Sequence, residues 1–457
     1  MAPEKNLLNG EIPSLISSES SSDQSCSQFS EDASDTMSVC SSTASSKYAD
    51  LLVAPHVGHK KVLVTGGAGF VGSSVAEALL ARGDDVVIVD EMNDYYDVTM
   101  KESNLIRLQE LYPEEGRLVI YRGNICDMPL MQSIFKNERP QWVCHMAARA
   151  GVRPSIDDPF IYIQSNIVGT TLLMELAAKF KIENFVFASS SSVYGGSKST
   201  YFSEDENVDN PVSPYAATKK ACELLAYTYH HLYNLNVSAL RFFTVYGPRG
   251  RPDMAPYQFI DKISRGVEIQ KFGDGSSSRD YTFISDIVDG VIRSIDRPYP
   301  YQVFNLGKGD GTSLNDFIGI VEKHTGMTAK VRQLPDQAGD VPYTCASVEK
   351  ARALLEYEAT VSFDEGIRRS VEWYNGRSGI GNRNADGVVA PRTSTEKSPV
   401  ENVVSQKTEF ASLELTRKTP VEKVESEMSE AAKSGLSRVV SVDLMSQHRA
   451  SKRMKTC

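Results

Sequence analysis

The chain has 457 residues, 41% of them hydrophobic and 24% charged, a composition typical of a globular protein with a sizeable core. Its formal net charge of -10 argues against general affinity for nucleic acid, because phosphate binding requires clustered lysine and arginine. The seven cysteines include no C-x-x-C pair and no zinc-like spacing. We therefore expect no metal site, and core positions for Cys126, Cys144 and Cys222 in a reducing compartment.

Both ends of the chain are predicted to be disordered. Residues 1–58 and 376–457 are rich in serine and charged residues and poor in aromatic residues, so they bury too little apolar area to offset their chain entropy. The alternative is a regulatory role through phosphorylation, or through contact of the basic end around Lys452 and Arg453 with anionic lipid. The sequence does not identify partners for either tail.

The sequence also predicts where the protein resides. No apolar run approaches the ~18–20 residues needed to span a bilayer. The N-terminus lacks the basic start and apolar core of a secretory signal, and it carries acidic residues that transit peptides avoid. These features predict a cytoplasmic protein without a transmembrane segment.

Residues 59–375 alternate short β-branched runs with helical patterns. The runs KVLVTGG, DVVIVD, RLVIYRG, WVCHMAA, FVFASSS and VSALRFF predict buried strands, and SSVAEALLARG and GTTLLMELAAKF between them have helical spacing. This alternation predicts an α/β fold with a doubly wound parallel sheet of the Rossmann type. After Arg241 the pattern breaks into shorter elements, which predicts a smaller C-terminal substrate-binding lobe interleaved with the core.

The segment VTGGAGFVGSS predicts a dinucleotide site. Gly66, Gly69 and Gly72 follow a predicted strand and open a helix, where glycines permit a tight turn and close approach to a pyrophosphate. The next strand ends in Asp90. A carboxylate at this position binds the ribose hydroxyls and repels a 2′-phosphate, which favours NAD over NADP.

The segment SPYAATKK predicts a catalytic pair at the start of a helix. Ser213 and Pro214 suit the helix start, and Tyr215 and Lys219 lie four residues apart on one face. An ammonium beside a phenol favours the phenolate, which makes tyrosine a usable general base. Tyr-x-x-x-Lys is common by chance and in isolation has a structural interpretation, but behind a dinucleotide fold it becomes a catalytic candidate.

Hydroxyl groups cluster where another predicted strand ends. Ser190, Ser191 and Ser192 close the run FVFASSSS, and the carboxyl ends of such strands meet a bound cofactor. Their hydroxyls are suited to link a substrate hydroxyl to Tyr215. For any one of the three, a serine turn that caps the next element remains the alternative.

Together these motifs resemble the extended short-chain dehydrogenase/reductase family, and the resemblance covers nearly all of the patterned region. The segments DEMNDYYDVTMKESNL, AARAGVRPSIDDPFIYIQSNIVGT and RFFTVYGPRGRPDMAPYQFI are similar to members that act on UDP-glucuronate. The resemblance implies an NAD site made of Gly66, Gly69, Phe70, Val71, Gly72, Asp90, Asn93, Asn124, Ile125, Ala147, Ala148, Asn166, Tyr215 and Lys219.

The resemblance also implies catalytic and substrate residues. Tyr215 would be the base, Lys219 its partner, and Ser190 the assisting hydroxyl. Ser191, Ser192, Thr244 and Arg251 would hold a sugar carboxylate, and Arg279 would contact the diphosphate. Three residues depart from the family pattern: Asn124 replaces an Asp near the adenine, Arg149 a Gln and Arg249 a Trp. Both arginines are expected to add positive charge beside the substrate.

The implied activity is interconversion of UDP-glucuronate and UDP-galacturonate by transient oxidation at the sugar 4-position. The resemblance also disfavours UDP-glucuronate decarboxylation, because decarboxylases of this family usually place an acidic residue just after the strand-end hydroxyls and SSSSVYGG contains none. A UDP-glucose/UDP-galactose 4-epimerase and a catalytically silent NAD-binding scaffold remain alternatives. Family members often form homodimers through two helices, which here correspond to GTTLLMELAAKF and ACELLAYTYHHLYNL.

Overall fold

The structure, a computed structural model, describes residues 47–335 and 343–378. The chain divides into two units, Met1–Arg383 and Asn384–Cys457, and all described residues belong to the first. The predicted disorder of residues 1–46 and 379–457, and the suggested lipid contact near Lys452, fall outside the described residues.

Twelve strands and twelve α-helices make up the described part of the chain, together with three other short helical segments. The strands are β1 (Lys61–Thr65), β2 (Asp85–Asp90), β3 (Leu118–Arg122), β4 (Trp142–His145), β5 (Asn184–Ser190), β6 (Val237–Phe242), β7 (Thr244–Tyr246), β8 (Ile269–Phe272), β9 (Ser278–Phe283), β10 (Tyr301–Leu306), β11 (Gly311–Ser313) and β12 (Val331–Leu334). The helices are α1 (Phe70–Arg82), α2 (Val98–Leu111), α3 (Met128–Glu138), α4 (Pro154–Asp157), α5 (Pro159–Tyr162), α6 (Gly169–Lys179), α7 (Pro214–Tyr233), α8 (Ala255–Ser264), α9 (Ile284–Asp296), α10 (Leu314–Thr325), α11 (Glu349–Leu355) and α12 (Phe363–Ser378). The other segments are the 3-10 helices Ala49–Leu51 and Ser191–Tyr194 and the π-helix Ile163–Val168.

The central sheet has seven strands, all parallel, in the order β10-β6-β5-β4-β1-β2-β3. The chain order reverses between β1 and β4, and that point is where open parallel sheets bind their ligands. All six predicted strands are present, and the predicted Rossmann-type fold is confirmed. The seventh strand, β10, was not predicted: it lies beyond Arg241, in the part of the sequence assigned to the smaller lobe.

Helices cover both faces of this sheet, because alternate residues of each buried strand point to opposite sides. In β1, Val62 and Val64 join a core cluster with residues of α1, α9 and α11. Leu63, between them, joins a second cluster with residues of α3, α6 and α7. The strands are therefore apolar throughout, as the sequence runs indicated.

The smaller lobe is built from elements that follow β6 in the chain. Its strands make a three-stranded sheet, in the order β11-β9-β7, and a parallel pair, β12-β8. Aromatic side chains from α8, α10, α12 and β9 build its core, among them Phe259, Phe317, Phe363 and Tyr281. Strand β7 begins two residues after β6 ends, so the lobe is attached directly to the edge of the site.

The boundary of the N-terminal tail differs from the prediction. The sequence assigned residues 47–58 to a disordered tail, but Tyr48 is only 9% exposed and lies in the first core cluster, with Val53 packed against that cluster. The His56 amide donates to the Asp296 carbonyl over 2.7 Å. We call residues 47–58 the N-terminal strap. Composition alone did not identify the strap as part of the fold, because two apolar side chains suffice to anchor it to the core.

Two further expectations concern cysteines and membranes. Cys144 and Cys222 are buried, as predicted, whereas Cys126 is only partly buried because it follows β3 at the open edge of the sheet. Burial raises the pKa of the Cys126 thiol. Within residues 47–335 and 343–378, every helix is too short or too polar to cross a bilayer.

Replacement of Tyr48 tests whether the strap belongs to the folded core. Tyr48→Ala removes a buried aromatic side chain and is expected to lower the free energy of unfolding by about 2 kcal/mol, as for a partly relaxing core site. The measurement is urea-induced unfolding followed by circular dichroism. Leu52→Ala is the matched control, because Leu52 in the same strap is 63% exposed. Equal midpoints for both variants and the unsubstituted protein would contradict the packing.

Candidate active site

A cleft of about 870 Å³ lies at the carboxyl ends of the central strands, where the chain order reverses between β1 and β4, and the smaller lobe closes its far side. This size is at the upper end of the range for small-molecule sites. Six lysine and arginine side chains line it against three carboxylates. The cleft therefore carries an excess of three positive charges in a chain whose net charge is -10. These charged residues are Lys101, Arg149, Arg153, Lys219, Arg251 and Arg279, and Asp90, Glu91 and Asp253.

The glycine loop leaves no room for side chains. A Cβ atom on Gly72 would lie 2.1 Å from the Gly66 carbonyl oxygen, and one on Gly66 would lie 2.7 Å from the Ala147 nitrogen. Gly66 also has a φ of 67°, in the left-handed region that glycine tolerates. Both glycines, with Gly69, line the cleft, so backbone and not side chains forms this wall.

Helix α1 points its N-terminus into the cleft. Its N-cap is Gly69, which provides no side-chain cap, and Phe70, Val71 and Gly72 of its first turn line the cleft. Amide groups at the start of a helix lack internal partners and favour negative charge. This wall is therefore suited to a pyrophosphate.

Asp90 ends β2 beside the glycine loop. Its carboxylate accepts hydrogen bonds from the amides of Ala68, at 3.1 Å, and Met92, at 2.9 Å. Burial raises the pKa of Asp90, against the opposing effect of these donors and of Lys101. The side chain still reaches the cleft, in the position expected for a ligand of ribose hydroxyls.

Lys101 lies next to Asp90 and was not singled out from the sequence. Its ammonium donates to the carbonyl and to the side-chain oxygen of Asn93, over 2.7 and 3.0 Å, and lies 4.8 Å from the ring centre of Tyr96. Burial lowers the pKa of Lys101. The sequence signal that could have identified Lys101 is its position eight residues after Asn93, because α2 brings that residue back beside Asn93.

The predicted adenine end of the cleft contains Asn124, Ile125 and Arg149. The Asn124 amide donates to Glu91 over 3.0 Å, and its oxygen accepts from the Cys126 amide over 2.8 Å. Arg149 pairs with the same Glu91 carboxylate at 3.0 Å. The amide at position 124 is thus held in place. Arg149 lines the cleft, but its charge is paired with Glu91, so the expectation that it adds positive charge beside the substrate stays a prediction.

Asn166 does not line the cleft, contrary to the prediction. It is 1% exposed within the π-helix, behind the wall formed by Ala147 and Ala148. Its side chain bonds both the amide and the carbonyl of Arg149, at 2.8 and 3.0 Å, and the Thr218 hydroxyl at 3.0 Å. The π-helix turns this amide toward the protein interior, where it links the cleft wall to α7.

Tyr215 and Lys219 lie in the cleft at the start of α7. Ser213 caps this helix by accepting from the Ala216 amide, as the sequence predicted. The Lys219 ammonium lies 5.9 Å from the centre of the Tyr215 ring and donates to the Ala188 carbonyl over 2.7 Å. The cation is therefore fixed between the catalytic helix and the end of β5.

The nearby His145 is excluded as a general base. It is 3% exposed, and its ring nitrogens lie 2.7 and 2.9 Å from the hydroxyls of Thr65 and Thr170. Burial, assisted by the charge of Lys219, lowers the pKa of His145 to about 3. It therefore remains neutral at physiological pH.

Ser190, which ends β5, and the next two serines, Ser191 and Ser192, all line the cleft. The Ser190 hydroxyl accepts from the Ser192 amide over 3.1 Å and lies 3.1 Å from the Ser192 hydroxyl. Ser190 is thus both a cap for the short helix Ser191–Tyr194 and a hydroxyl at the cleft surface. The capping interpretation and the functional one apply to the same residue.

Arg251 enters the cleft from the lobe together with an acid that the sequence analysis missed. Its Nε donates to Asp253 over 2.9 Å, its Nη2 contacts the other carboxylate oxygen, and its guanidinium lies 5.3 Å from the ring centre of Tyr95. The prediction identified Arg251 but not its partner two residues later. Thr244 lines the same region.

The two other arginines named from the sequence, Arg279 and Arg249, differ in their position relative to the cleft. Arg279 lines the cleft from β9, and its Nη1 donates to the Ser278 carbonyl over 2.9 Å. Arg249 does not line it: its Nη1 pairs with Glu77 of α1 over 2.7 Å. The expectation that Arg249 adds charge to the cleft was wrong, because a φ of 68° at this residue turns its side chain toward α1.

Comparisons with known proteins identify similar sequences and structures. A sequence model described as GDP-mannose 4,6 dehydratase matches residues 63–370. A UDP-glucuronate 4-epimerase of Thermodesulfobacterium geofontis is 47% identical over 312 residues, which cover 68% of this chain and 95% of that protein.

Two solved structures have a similar fold. The UDP-glucuronic acid 4-epimerase of Bacillus cereus, in complex with UDP-glucuronic acid and NAD, is 34% identical with a TM-score of 0.65, over 69% of this chain and 99% of that one. The UDP-glucose 4-epimerase of Thermotoga maritima, with UDP-glucose, is 31% identical with a TM-score of 0.64, over 70% and 99% of the two chains.

Replacement of Gly72 tests the glycine wall. Because a Cβ there meets backbone rather than a movable side chain, Gly72→Ala is expected to lower the free energy of unfolding by about 1–3 kcal/mol and to weaken dinucleotide binding. Thermal unfolding with and without NAD measures both effects. The control is Gly319→Ala, inside α10, where a Cβ meets nothing within 4 Å. This geometry would be contradicted if the Gly72→Ala protein were as stable as the control and if NAD raised the melting temperatures of both by the same amount.

Proposed function

This chain belongs to the GDP-mannose 4,6-dehydratase family of extended short-chain dehydrogenases/reductases, and we propose that it is an NAD-dependent isomerase that interconverts UDP-glucuronate and UDP-galacturonate. The observation that carries the proposal is one positively charged cleft. It joins the glycine wall to Tyr215, Lys219, the serine turn and Arg251.

The cofactor fits the residues present. The glycine wall that a Cβ would fill and the uncapped start of α1 suit the pyrophosphate, and Asp90 suits the hydroxyls of an unphosphorylated ribose. When bound, NAD supplies a reversible hydride acceptor for carbon 4 of the sugar. The chain itself orients the sugar and moves the proton.

Tyr215 is the proposed base for the sugar 4-hydroxyl. The ammonium of Lys219, fixed by the Ala188 carbonyl, lies 5.9 Å from the centre of the Tyr215 ring and places a positive charge beside the proposed base. The Ser190 hydroxyl is suited to bind the same sugar hydroxyl and to orient it toward Tyr215. On return of the proton to the opposite configuration, Tyr215 acts as the acid.

Arg251 is the proposed ligand of the sugar carboxylate. Its Nε and Nη2 groups are engaged by Asp253 and its face by Tyr95, which leaves the Nη1 group for an added partner. An arginine has five donors in a planar fork and accommodates two carboxylates. Ser191, Ser192 and Thr244 provide neutral donors beside it.

Retention of the carboxylate separates epimerisation from decarboxylation. Oxidation of glucuronate at carbon 4 gives a β-keto acid, which loses carbon dioxide when its carboxylate can rotate. A carboxylate held by an arginine and three hydroxyl groups is restrained from that rotation. A UDP-glucose 4-epimerase is the alternative, favoured only if Arg251 serves Asp253 alone.

Pairing of two chains and residence in the cytoplasm are further parts of the proposal. Helix α7 carries an exposed apolar set that includes Leu224, Tyr227 and Leu232, each at least 55% exposed. Phe160 and Val168, ahead of α6, are also exposed. Formation of a homodimer through these helices would remove this apolar area from water.

Removal of one hydroxyl tests the catalytic assignment. Tyr215→Phe keeps the ring but removes the acid-base group, and turnover of UDP-glucuronate is expected to fall at least about 10²-fold, the lower range for a general base. Bound NAD, measured after denaturation of the purified protein, is expected to be unchanged. The nearby Tyr162→Phe keeps Tyr215 and serves as control. Full activity of Tyr215→Phe would instead favour a silent scaffold or another base.

Removal of the guanidinium tests the substrate assignment. Arg251→Ala is expected to weaken binding of UDP-glucuronate by about 2–4 kcal/mol, the range for a lost buried charge contact, and that of UDP-glucose much less. Isothermal titration with both nucleotides measures the difference. Arg249→Ala is the matched control, because that arginine lies outside the cleft. Equal losses for both nucleotides would contradict the carboxylate contact.

A further inference from the structure

The serine turn, residues 189–194, comprises the last two residues of β5 and the short helix Ser191–Tyr194. It presents Ser190 to the cleft. Serine side chains are short, so the place of the Ser190 hydroxyl depends on how firmly this turn is held. The turn is held at both ends by groups that the catalytic proposal does not use.

The first end of the turn is tied to a buried ion pair. The Ser189 hydroxyl donates to Glu223 over 2.7 Å. Glu223 in turn accepts from Nε and Nη2 of Arg241, over 2.9 and 2.8 Å. The two charged side chains are 2% and 3% exposed, so neither can exchange its partner for water.

The second end is tied to the same guanidinium. Its Nη1 donates to the Tyr194 hydroxyl over 3.0 Å, and that hydroxyl donates to Asn305 over 2.7 Å. The guanidinium also lies 4.9 Å from the centre of the Tyr194 ring. Arg241 thus uses all three nitrogens on the serine turn and its supports, directly and through Glu223.

The ion pair also joins the turn to the catalytic helix. Glu223 lies on α7, one turn beyond Lys219 and two turns beyond Tyr215. Lys219 itself donates to the carbonyl of Ala188, the residue before Ser189. Two contacts, from successive turns of α7, therefore hold the end of β5 against the helix that carries the proposed base.

We propose that Arg241 and Glu223 are positioning residues, which set the Ser190 hydroxyl in register with the Tyr215 phenol. The inference rests on the proposed function, because it assigns these two hydroxyls to the same sugar oxygen. It goes beyond it in naming a buried ion pair, whose two residues do not line the cleft, as a determinant of the rate.

Stability alone does not account for the pair. Removal of two charges from water costs about as much as their attraction returns, so buried ion pairs are weak sources of stability. A planar guanidinium with five fixed donors does, however, define directions to several partners at once. The geometry here uses that property at three points around one turn.

The test removes single hydroxyls and leaves both charges paired. Tyr194→Phe and Ser189→Ala each release one end of the turn, and each is expected to lower kcat about 10-fold, since displacement of a reacting group by 1 Å costs up to 10²-fold. The KM and the content of bound NAD should stay at the values of the unsubstituted protein. The double variant should lose less than the product of the two effects, because both act through the same turn.

The control is Tyr299→Phe, which removes a buried hydroxyl donating to the Leu354 carbonyl over 2.8 Å, away from the cleft. It should show a similar change in melting temperature and an unchanged kcat. Tyr194→Phe and Ser189→Ala with normal kcat, or with losses that only follow their melting temperatures, would overturn the inference. The assay uses whichever UDP-sugar the unsubstituted protein turns over. Turnover of UDP-glucose in place of UDP-glucuronate would therefore overturn the proposed substrate while the comparison of variants still decides the positioning role.

Discussion

The parallel register of β1, β4, β5 and β6 is the constraint on which the site depends. Because these strands run in one direction, their carboxyl ends reach the same edge, and residues far apart in the sequence meet there. Gly66 follows β1, Ala147 follows β4, Ser190 ends β5 and Thr244 follows β6. Loss of register in any one strand would move its contribution away from the others.

The arrangement of charges in the cleft is a second feature on which the site depends. The cations that enter it are fixed by partners: Arg251 by Asp253, Arg149 by Glu91, and Lys219 by a backbone carbonyl. The remaining excess of positive charge suits ligands with several phosphates and a carboxylate. Fixed cations need little reorganisation when such a ligand binds, which is an advantage for catalysis.

The features predicted from the sequence are those set by local pattern. Six strands were recognisable because each is a buried apolar run, and the glycine loop because backbone contacts at Gly66 and Gly72 admit no other residue. Strand β10 was missed because only its second half is fully buried, which weakens the apolar signal. The strap near Tyr48 was missed because its anchoring depends on tertiary contacts.

The errors at the site have the same physical origin. Asn166 was assigned to the cleft by resemblance, and Arg249 was expected to add charge there as a departure from the family pattern. A π-helix holds Asn166 and a left-handed backbone conformation occurs at Arg249, and neither side chain lines the cleft. Asp253 and Arg241 were missed because their importance lies in partners brought by the fold. Spacing along the chain identifies candidate chemistry, whereas the direction of a side chain depends on backbone geometry that the sequence pattern does not encode.

The most direct measurement is proton NMR of the purified protein incubated with UDP-glucuronate, with UDP-glucose in a separate tube. UDP-galacturonate is expected to form from UDP-glucuronate without loss of the carboxylate. Formation of UDP-xylose would contradict the proposed restraint of the carboxylate. Formation of UDP-galactose from UDP-glucose, with UDP-glucuronate unchanged, would contradict the assignment of Arg251 and of the substrate.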